Sequence, residues 1–298
     1  MKAKLKNIFS MTVFGTIAIF VKNIPLSTGE ISLFRAIIGL IVIYIYKLIS
    51  GNRIGFKDMK KDLPLLFLSG IAMGFQWVLL FQAYRYTTVS LATLSYYFAP
   101  VILIVLSSII LKERLTLKQI ICFIMATLGL VMIIGFQGID LTNTTTIGIL
   151  YGLGSAVLYA TVIFLNKLIK NVTGIDRTFI QFIASIIVLT PYVLATSGIN
   201  IMSIDMMGLL NLLILGGFHT GFTYCIFFSS VKDLKGQEAA ILSYVDPLVS
   251  IIVSVAILRE SITLMQILGG GMILGFTLIN ELNLNGFKPI NKRLEGKI

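Results

Sequence analysis

The strongest constraint on this chain is that it repeats itself. Shifted by 147 residues, Tyr97, Pro100, Ile104, Ser107, Ile110, Leu111, Glu113, Thr116, Leu117, Gln119, Ile120 and Met125 return as Tyr244, Pro247, Ile251, Ser254, Ile257, Leu258, Glu260, Thr263, Leu264, Gln266, Ile267 and Met272. The same register, without a gap, carries Leu65, Leu66, Leu68, Gly70, Gly74, Phe75, Phe81 and Ala92 onto Leu212, Leu213, Leu215, Gly217, Gly221, Phe222, Phe228 and Ala239. Shared apolar composition does not produce paired prolines, paired glycines and paired glutamates in one register. A shift of 145 adds Ser10, Thr16 and Lys22 against Ser155, Thr161 and Lys167, so the duplication reaches back to the first apolar stretch. The chain reads as two halves, residues 1–137 and 138–285, followed by a basic tail over 286–298.

Composition decides what the halves are made of. Hydrophobic residues make up 57% of the 298, charged residues only 12%, and the mean hydropathy is +0.96. That excludes an ordinary soluble domain. A helix needs ~20 apolar residues to cross a bilayer. Ten such stretches are expected, over 6–24, 29–49, 63–84, 88–111, 117–136, 146–169, 176–197, 206–230, 236–258 and 263–282. Five spans per half is an odd number, so the second half must enter the membrane upside down. The expected fold is an all-α membrane protein, ten transmembrane helices in two inverted five-helix repeats. Transporters recurrently use this arrangement, with a site near the midplane where the repeats meet.

The net charge of +11 could suggest nucleic acid, but its distribution is that of a membrane protein. Lys and Arg gather at Lys2/Lys4/Lys6, Lys47–Lys61, Lys112/Arg114/Lys118, Lys167/Lys170/Arg177, Lys232/Lys235 and the tail from Lys288. Those are the odd-numbered connections and both termini. The positive-inside rule then places both termini in the cytoplasm of a multi-pass protein of the plasma (inner) membrane. The basic start followed by an apolar run could be a secretory signal, but Lys22-Asn23-Ile24-Pro25 offers no small-residue cleavage site. Cys122 and Cys225 lie inside spans, and the single histidine has no ligand-spaced partners, so no metal or cofactor is expected. Without a phosphate-binding loop, nucleophile elbow or acidic pair, an enzyme is not expected either.

Polar residues inside the spans carry the functional signal. Arg35 lies four or five residues from the outer end of span 2. It can snorkel to the interface or face inward as an anion contact or outer-gate partner. Gln181 occupies the comparable place in the second half. Gly70/Gly74 and Gly217/Gly221 have the four-residue spacing that lets helices approach closely. Pro100 and Pro247 each remove a backbone bond, to the carbonyls of Tyr96 and Ser243, and either kink a span for packing or act as hinges beside a wet cavity. The halves also differ. Ser243, Asp246, Ser250 and Ser254 form a polar stripe where the first half has Tyr96, Ala99, Leu103 and Ser107, and His219 stands where the first half has Ala72. Ionisable groups at that depth are functional candidates. Asp246 has three readings: proton exchange, binding of a cargo ammonium group, or a structural bond to Ser243 or Ser250.

Ten spans in two inverted halves, a proline near the middle of spans 4 and 9, and the endings LKERLT (111–116) and LRESIT (258–263) resemble the EamA family of the drug/metabolite transporter superfamily. The resemblance extends over essentially the whole chain. It implies a secondary transporter, often an exporter of amino acids or other small metabolites, with a central cavity lined mainly by spans other than the fifth and tenth. Pro100, Pro247, Glu113 and Glu260 are the positions it carries over, and all four read as structural. The expected function is movement of a small polar or amphipathic metabolite by alternating access, with protons as one possible coupling ion. The expected cavity residues are Arg35, Gln76, Trp77, Tyr96, Tyr97, Tyr159, His219, Tyr224, Ser243, Tyr244 and Asp246. The competing expectation is a membrane sensor or interaction subunit that uses the same fold without net transport.

Overall fold

The computed structural model describes residues 1–51, 59–111, 115–135, 142–172 and 174–282. Glu113, Lys112, Arg114 and the tail 286–298 lie outside the described residues. Among the described residues, ten helices are long and apolar enough to cross a membrane: Lys2–Lys22, Thr28–Ile49, Leu63–Tyr86, Val89–Ile110, Leu117–Ile134, Thr144–Leu168, Gly174–Thr196, Met206–Val231, Glu238–Ile257 and Leu264–Glu281, numbered here as spans 1 to 10. Their ends agree with the hydropathy reading to within a few residues. Among the described residues all regular structure is helical, as hydrocarbon requires of backbone that must satisfy its own polar groups.

The duplication is visible in the packing. Span 3 packs on span 6 and span 8 on span 1; span 7 packs on span 3 and span 2 on span 8; span 4 lies along span 6 and span 9 along span 1. Each pairing has its image with the halves exchanged, while spans 5 and 10 pack on each other. Local capping repeats too. Thr116 and Gln119 close a capping box at the start of span 5, and Thr263 and Gln266 close the same box at the start of span 10. Each box satisfies two of the N–H groups that a helix start leaves open.

The expected proline kinks take a different form. Span 4 is two helices, Val89–Tyr96 and Ala99–Leu111, separated by a turn at Tyr97 and Phe98. Span 9 is likewise broken at Tyr244, between Gly236–Ser243 and Val245–Ile252. Pro100 and Pro247 therefore sit in the first turn of a new helix, where the missing N–H would have had no helical partner. The break precedes the proline in both halves. Span 1 is also broken, at Thr16, whereas its image, span 6, runs without interruption. The paired threonines show the difference: Thr161 bonds the carbonyl four residues back, while Thr16 bonds Val13 only three back.

Span 8 departs furthest from expectation. Residues Ile214–Phe222 form a π-helix, with Thr220 and Thr223 donating to the carbonyls of Leu215 and Phe218, five residues earlier. The wider turn changes which glycines meet span 2. A Cβ at Gly216 would lie 2.6 Å from Ile38 and one at Gly221 2.4 Å from Val42, but one at Gly217 would stand 3.9 Å from its nearest neighbour. The contact pair is thus Gly216/Gly221, spaced by five, and not the Gly217/Gly221 pair read from the sequence. In span 3 the four-residue pair holds: a Cβ at Gly70 would come 2.5 Å from the Gln181 carbonyl oxygen, and one at Gly74 3.2 Å from Ser185.

Gly70 and Gly275 therefore predict opposite tolerances. Gly70→Ala must push span 3 off the backbone of span 7 and should lower stability by about 1–3 kcal/mol, the usual penalty of overpacking. Gly275→Ala adds a methyl where nothing lies within 4 Å and should be neutral or stabilising. Thermal unfolding of the two variants in detergent checks this; equal midpoints would mean the span 3–span 7 contact is not tight.

Candidate functional site

The broken and widened spans surround one cavity of about 310 Å³. Spans 1, 2, 3, 4, 6, 7, 8 and 9 contribute to its wall, and spans 5 and 10 do not. Of the residues singled out in the sequence, Arg35, Gln76, Trp77, Tyr96, Tyr97, Tyr159, Tyr224, Ser243 and Asp246 line it. Its size falls at the small end of the range for small-molecule sites, about 300–1,000 Å³.

Arg35 is 3% exposed and does not snorkel. Its Nε donates to Thr220 Oγ1 at 2.7 Å, and its guanidinium carbon stands 4.5 Å from the centre of the Trp77 ring and 5.5 Å from that of Phe81. The π-helical turn is what brings Thr220 to it. Glu30, the nearest acidic residue in sequence, is engaged elsewhere: it closes a capping box with Ser27 and accepts the Asn200 N–H at 2.6 Å. Arg35 therefore forms no ion pair among the described residues, and its terminal nitrogens donate no hydrogen bond there. A charge at the centre of a membrane helix costs about 2.5–3.5 kcal/mol on insertion scales. Stacking over an aromatic ring returns about 2 kcal/mol when desolvated. The balance leaves a standing attraction for an anion.

Asp246 occupies the second residue of the helix that restarts span 9. Its Oδ2 accepts the Tyr97 hydroxyl at 2.7 Å, which joins the two broken spans across the middle of the molecule. Close packing holds this segment against span 1: a Cβ at Gly15 would lie 2.7 Å from the Asp246 carbonyl oxygen, and Ser250 donates to the Gly15 carbonyl at 3.2 Å. Asp246 also forms no ion pair among the described residues. The cavity thus holds the Arg35 guanidinium and the Asp246 carboxylate, which are not paired with each other, and a second guanidinium, Arg177, also lines it. Aromatic rings fill the remaining wall, Tyr96 against Tyr159 at 5.0 Å and Phe14 against Tyr224 at 5.2 Å.

Two expected residues are not brought to the cavity. His219 is 2% exposed and turned toward span 1, where Nε2 lies 3.0 Å from Thr16 Oγ1 and Nδ1 lies 3.2 Å from the Ile214 carbonyl. The ring packs on Phe20 at 4.5 Å. The π-turn rotates it away from the face that a regular helix would present, so His219 and Asp246 do not share the cavity. Tyr244 marks the break in span 9 and is 8% exposed, its ring 6.4 Å from Tyr97, but it does not line the cavity.

The cavity also contains Tyr84, Thr93, Asn166, Arg177 and Gln181, which the sequence reading did not select. Gln181 had a signal, its match to Arg35. It donates to Ser69 Oγ at 2.5 Å and to Asn166 Oδ1 at 2.8 Å. Arg177 was counted only as part of the positive-inside pattern. Its Nη1 donates to the Asn166 carbonyl at 3.1 Å.

Ten apolar helices in two exchanged repeats, enclosing a charged and aromatic cavity at mid-depth, define a multi-pass membrane transporter for a small molecule. The EamA-like transporter family matches residues 3–135 and again 146–281. The chain belongs to that family, part of the drug/metabolite transporter superfamily. It is similar to the protein named Uncharacterized transporter YxxF of Bacillus subtilis (strain 168), 28% identical over 272 residues, covering 91% of this chain and 86% of that one. A protein of Archaeoglobus fulgidus named Uncharacterized transporter is also 28% identical, over 275 residues, covering 91% and 93%. A crystal structure with 16% sequence identity superposes with a TM-score of 0.64 over 94% of this chain and 96% of the other, a likeness of fold.

The Arg35 arrangement makes a prediction that needs no substrate. Thr220→Val keeps shape but deletes the bond to the Arg35 Nε, and hydrogen bonds to charged groups contribute about 1.5–3 kcal/mol. Stability should fall by that order, and the emission of Trp77, the single tryptophan, should shift as the guanidinium loosens from its ring. An unchanged spectrum would mean that Arg35 does not sit on Trp77.

Proposed function

We propose that this EamA-family protein is a secondary transporter that exports a small polar or amphipathic metabolite, an amino acid or related compound, by alternating access. The observation that carries the reading is the unpaired Arg35 and Asp246 in one aromatic-walled cavity. A zwitterion offers a carboxylate for the guanidinium and an ammonium group for Asp246, while the tyrosines and Trp77 accept an apolar side chain. The tyrosine hydroxyls supply hydrogen bonds that an aliphatic wall could not. The two halves, 1–137 and 138–285, are the units that move. Pro100 and Pro247, at the restart of spans 4 and 9, are the hinges, since backbone already interrupted there needs no helical bond broken during motion.

Asp246 further serves as the point of proton coupling in this reading, because its hydroxyl partner, Tyr97, can bond either protonation state. Asp246→Asn retains shape and removes the charge. If Asp246 exchanges protons, flux driven by a pH gradient disappears in vesicles while substrate exchange survives. If it holds an ammonium group, binding weakens, and more for cationic than for neutral cargo. Normal transport by Asp246→Asn across pH ~5.5–8, a range spanning the unperturbed histidine pKa, would reduce the carboxylate to a structural role. Cargo binding without flux in the native protein would instead favour a sensor.

The same reading has both termini on the cytoplasmic side of the plasma membrane, a topology that the positive-inside pattern of Lys and Arg supports. Asn143 begins span 6 and Lys170 follows its other end. In a background lacking Cys122 and Cys225, Asn143→Cys should react with an impermeant thiol reagent in intact cells, and Lys170→Cys should be shielded. The reverse pattern would invert the orientation and, with it, the proposed direction of export.

A further inference from the structure

The duplication allows the two ends of the bundle to be compared at paired positions among the described residues, and Ser254 and Lys22 stand in different surroundings from their images. At the end that carries Lys22, three spans meet on one carboxylate. Glu260 is ion-paired with Lys22 at the end of span 1, accepts the Val89 N–H at the first turn of span 4 (2.8 Å), and accepts the Ser254 hydroxyl from span 9 (2.5 Å). Ser254 also accepts the Ser90 N–H at 3.2 Å and is fully buried. While Glu260 holds all three partners, spans 4 and 9 cannot separate at this end.

The images of Ser254 and Lys22 are Ser107 and Lys167. Both line an open cavity of about 580 Å³ at the opposite end, between spans 4, 5, 6 and 10. Glu113, the image of Glu260, lies outside the described residues. Ile163 lines both this cavity and the central one, so its side chain belongs to the wall between them. The second cavity, the larger of the two, repeats the chemistry of the first: an ammonium group at Lys167, a carboxylate at Glu281, the hydroxyls of Ser107 and Thr116, and an apolar wall.

We propose that the Ser107–Lys167 cavity is a cargo-binding vestibule leading past Ile163 to the central cavity, and that Glu260 is the latch that keeps the opposite end shut. Ser254 and Lys22 stand in a closed seam, while their images Ser107 and Lys167 line an open mouth. This inference rests on the transport reading above. It also reassigns Glu260, read from the sequence as structural, to a residue whose bonds must break for cargo to leave.

The test uses purified full-length protein in nanodiscs, where a polar thiol reagent reaches both faces, in a background with Cys122→Ser and Cys225→Ser. Ser107→Cys reports the vestibule. Ser90→Cys reports the seam without disturbing it, since Ser90 contributes its backbone N–H to the latch. Ser107→Cys should react readily and Ser90→Cys slowly. Glu260→Gln should raise the Ser90→Cys rate about tenfold, as expected when a charge-assisted bond no longer favours one of two states, and should slow Ser107→Cys. Lys22→Gln should act in the same direction more weakly, because Val89 and Ser254 remain bonded; it decides the matter alone if Glu260→Gln does not elute as a monodisperse protein. Equal rates at the two sites, or no acceleration of Ser90→Cys by either substitution, would overturn the latch even if vesicles show flux. Absence of flux with the accessibility pattern intact would instead remove the transport reading, and the vestibule's role with it.

Discussion

Backbone inside hydrocarbon must find partners for every polar group, and this constraint locates the centre of the molecule. Span 1 breaks at Thr16, span 4 at Tyr97–Phe98, span 9 at Tyr244, and span 8 widens into a π-helix over Ile214–Phe222. Irregular backbone survives at membrane depth only where protein or water can meet it, and these four lie at the central cavity or directly behind its wall, while a second π-helical stretch, Val253–Ile257, lies at the far end of span 9. The Thr16 hydroxyl bridges the Val13 carbonyl and His219. The cavity is the place where helices can afford to be broken, and the broken helices are what gives the cavity polar walls.

The same physics explains how the charges of Arg35 and Asp246 persist there. Arg35 is held by one side-chain bond, to Thr220, and by aromatic faces, and Asp246 by the Tyr97 hydroxyl. Had the two formed an ion pair, the cavity would be electrostatically satisfied and a zwitterionic guest would gain little. Kept apart in a low-dielectric setting, each retains most of its attraction for an opposite charge. Stability given up by leaving them unpaired is available as binding energy, which is the logic of the proposed transport site.

Duplication supplies the symmetry, and divergence breaks it. The capping boxes, the helix breaks and the exchanged packing of spans 3 and 8 are shared by both halves. The carboxylate at Asp246, the break at Thr16 and the π-turn belong to one side only. A strictly symmetric molecule would have no reason to bury Ser254 in a seam and leave its image Ser107 beside a cavity. The asymmetric contacts of spans 1, 8 and 9, centred on Gly15, Thr16 and His219, supply one.

The sequence by itself determined the ten spans, the repeat and its inversion, because hydropathy and self-similarity are properties of local stretches. It also found most of the cavity wall, since polar and aromatic side chains inside an apolar span stand out without any knowledge of neighbours. It could not determine which way a span faces once its helical geometry changes. His219 and Gly217 were misplaced because the π-turn adds a residue per turn, and only the packing of span 8 against Arg35 and Ile38 selects that turn. Arg177 and Asn166 were missed because a charge near a helix end looks the same in sequence whether it meets water or a cavity. The contacts of Glu260 were hidden for a similar reason. Its partners Lys22, Val89 and Ser254 come from three spans, and only tertiary structure brings distant segments onto one carboxylate.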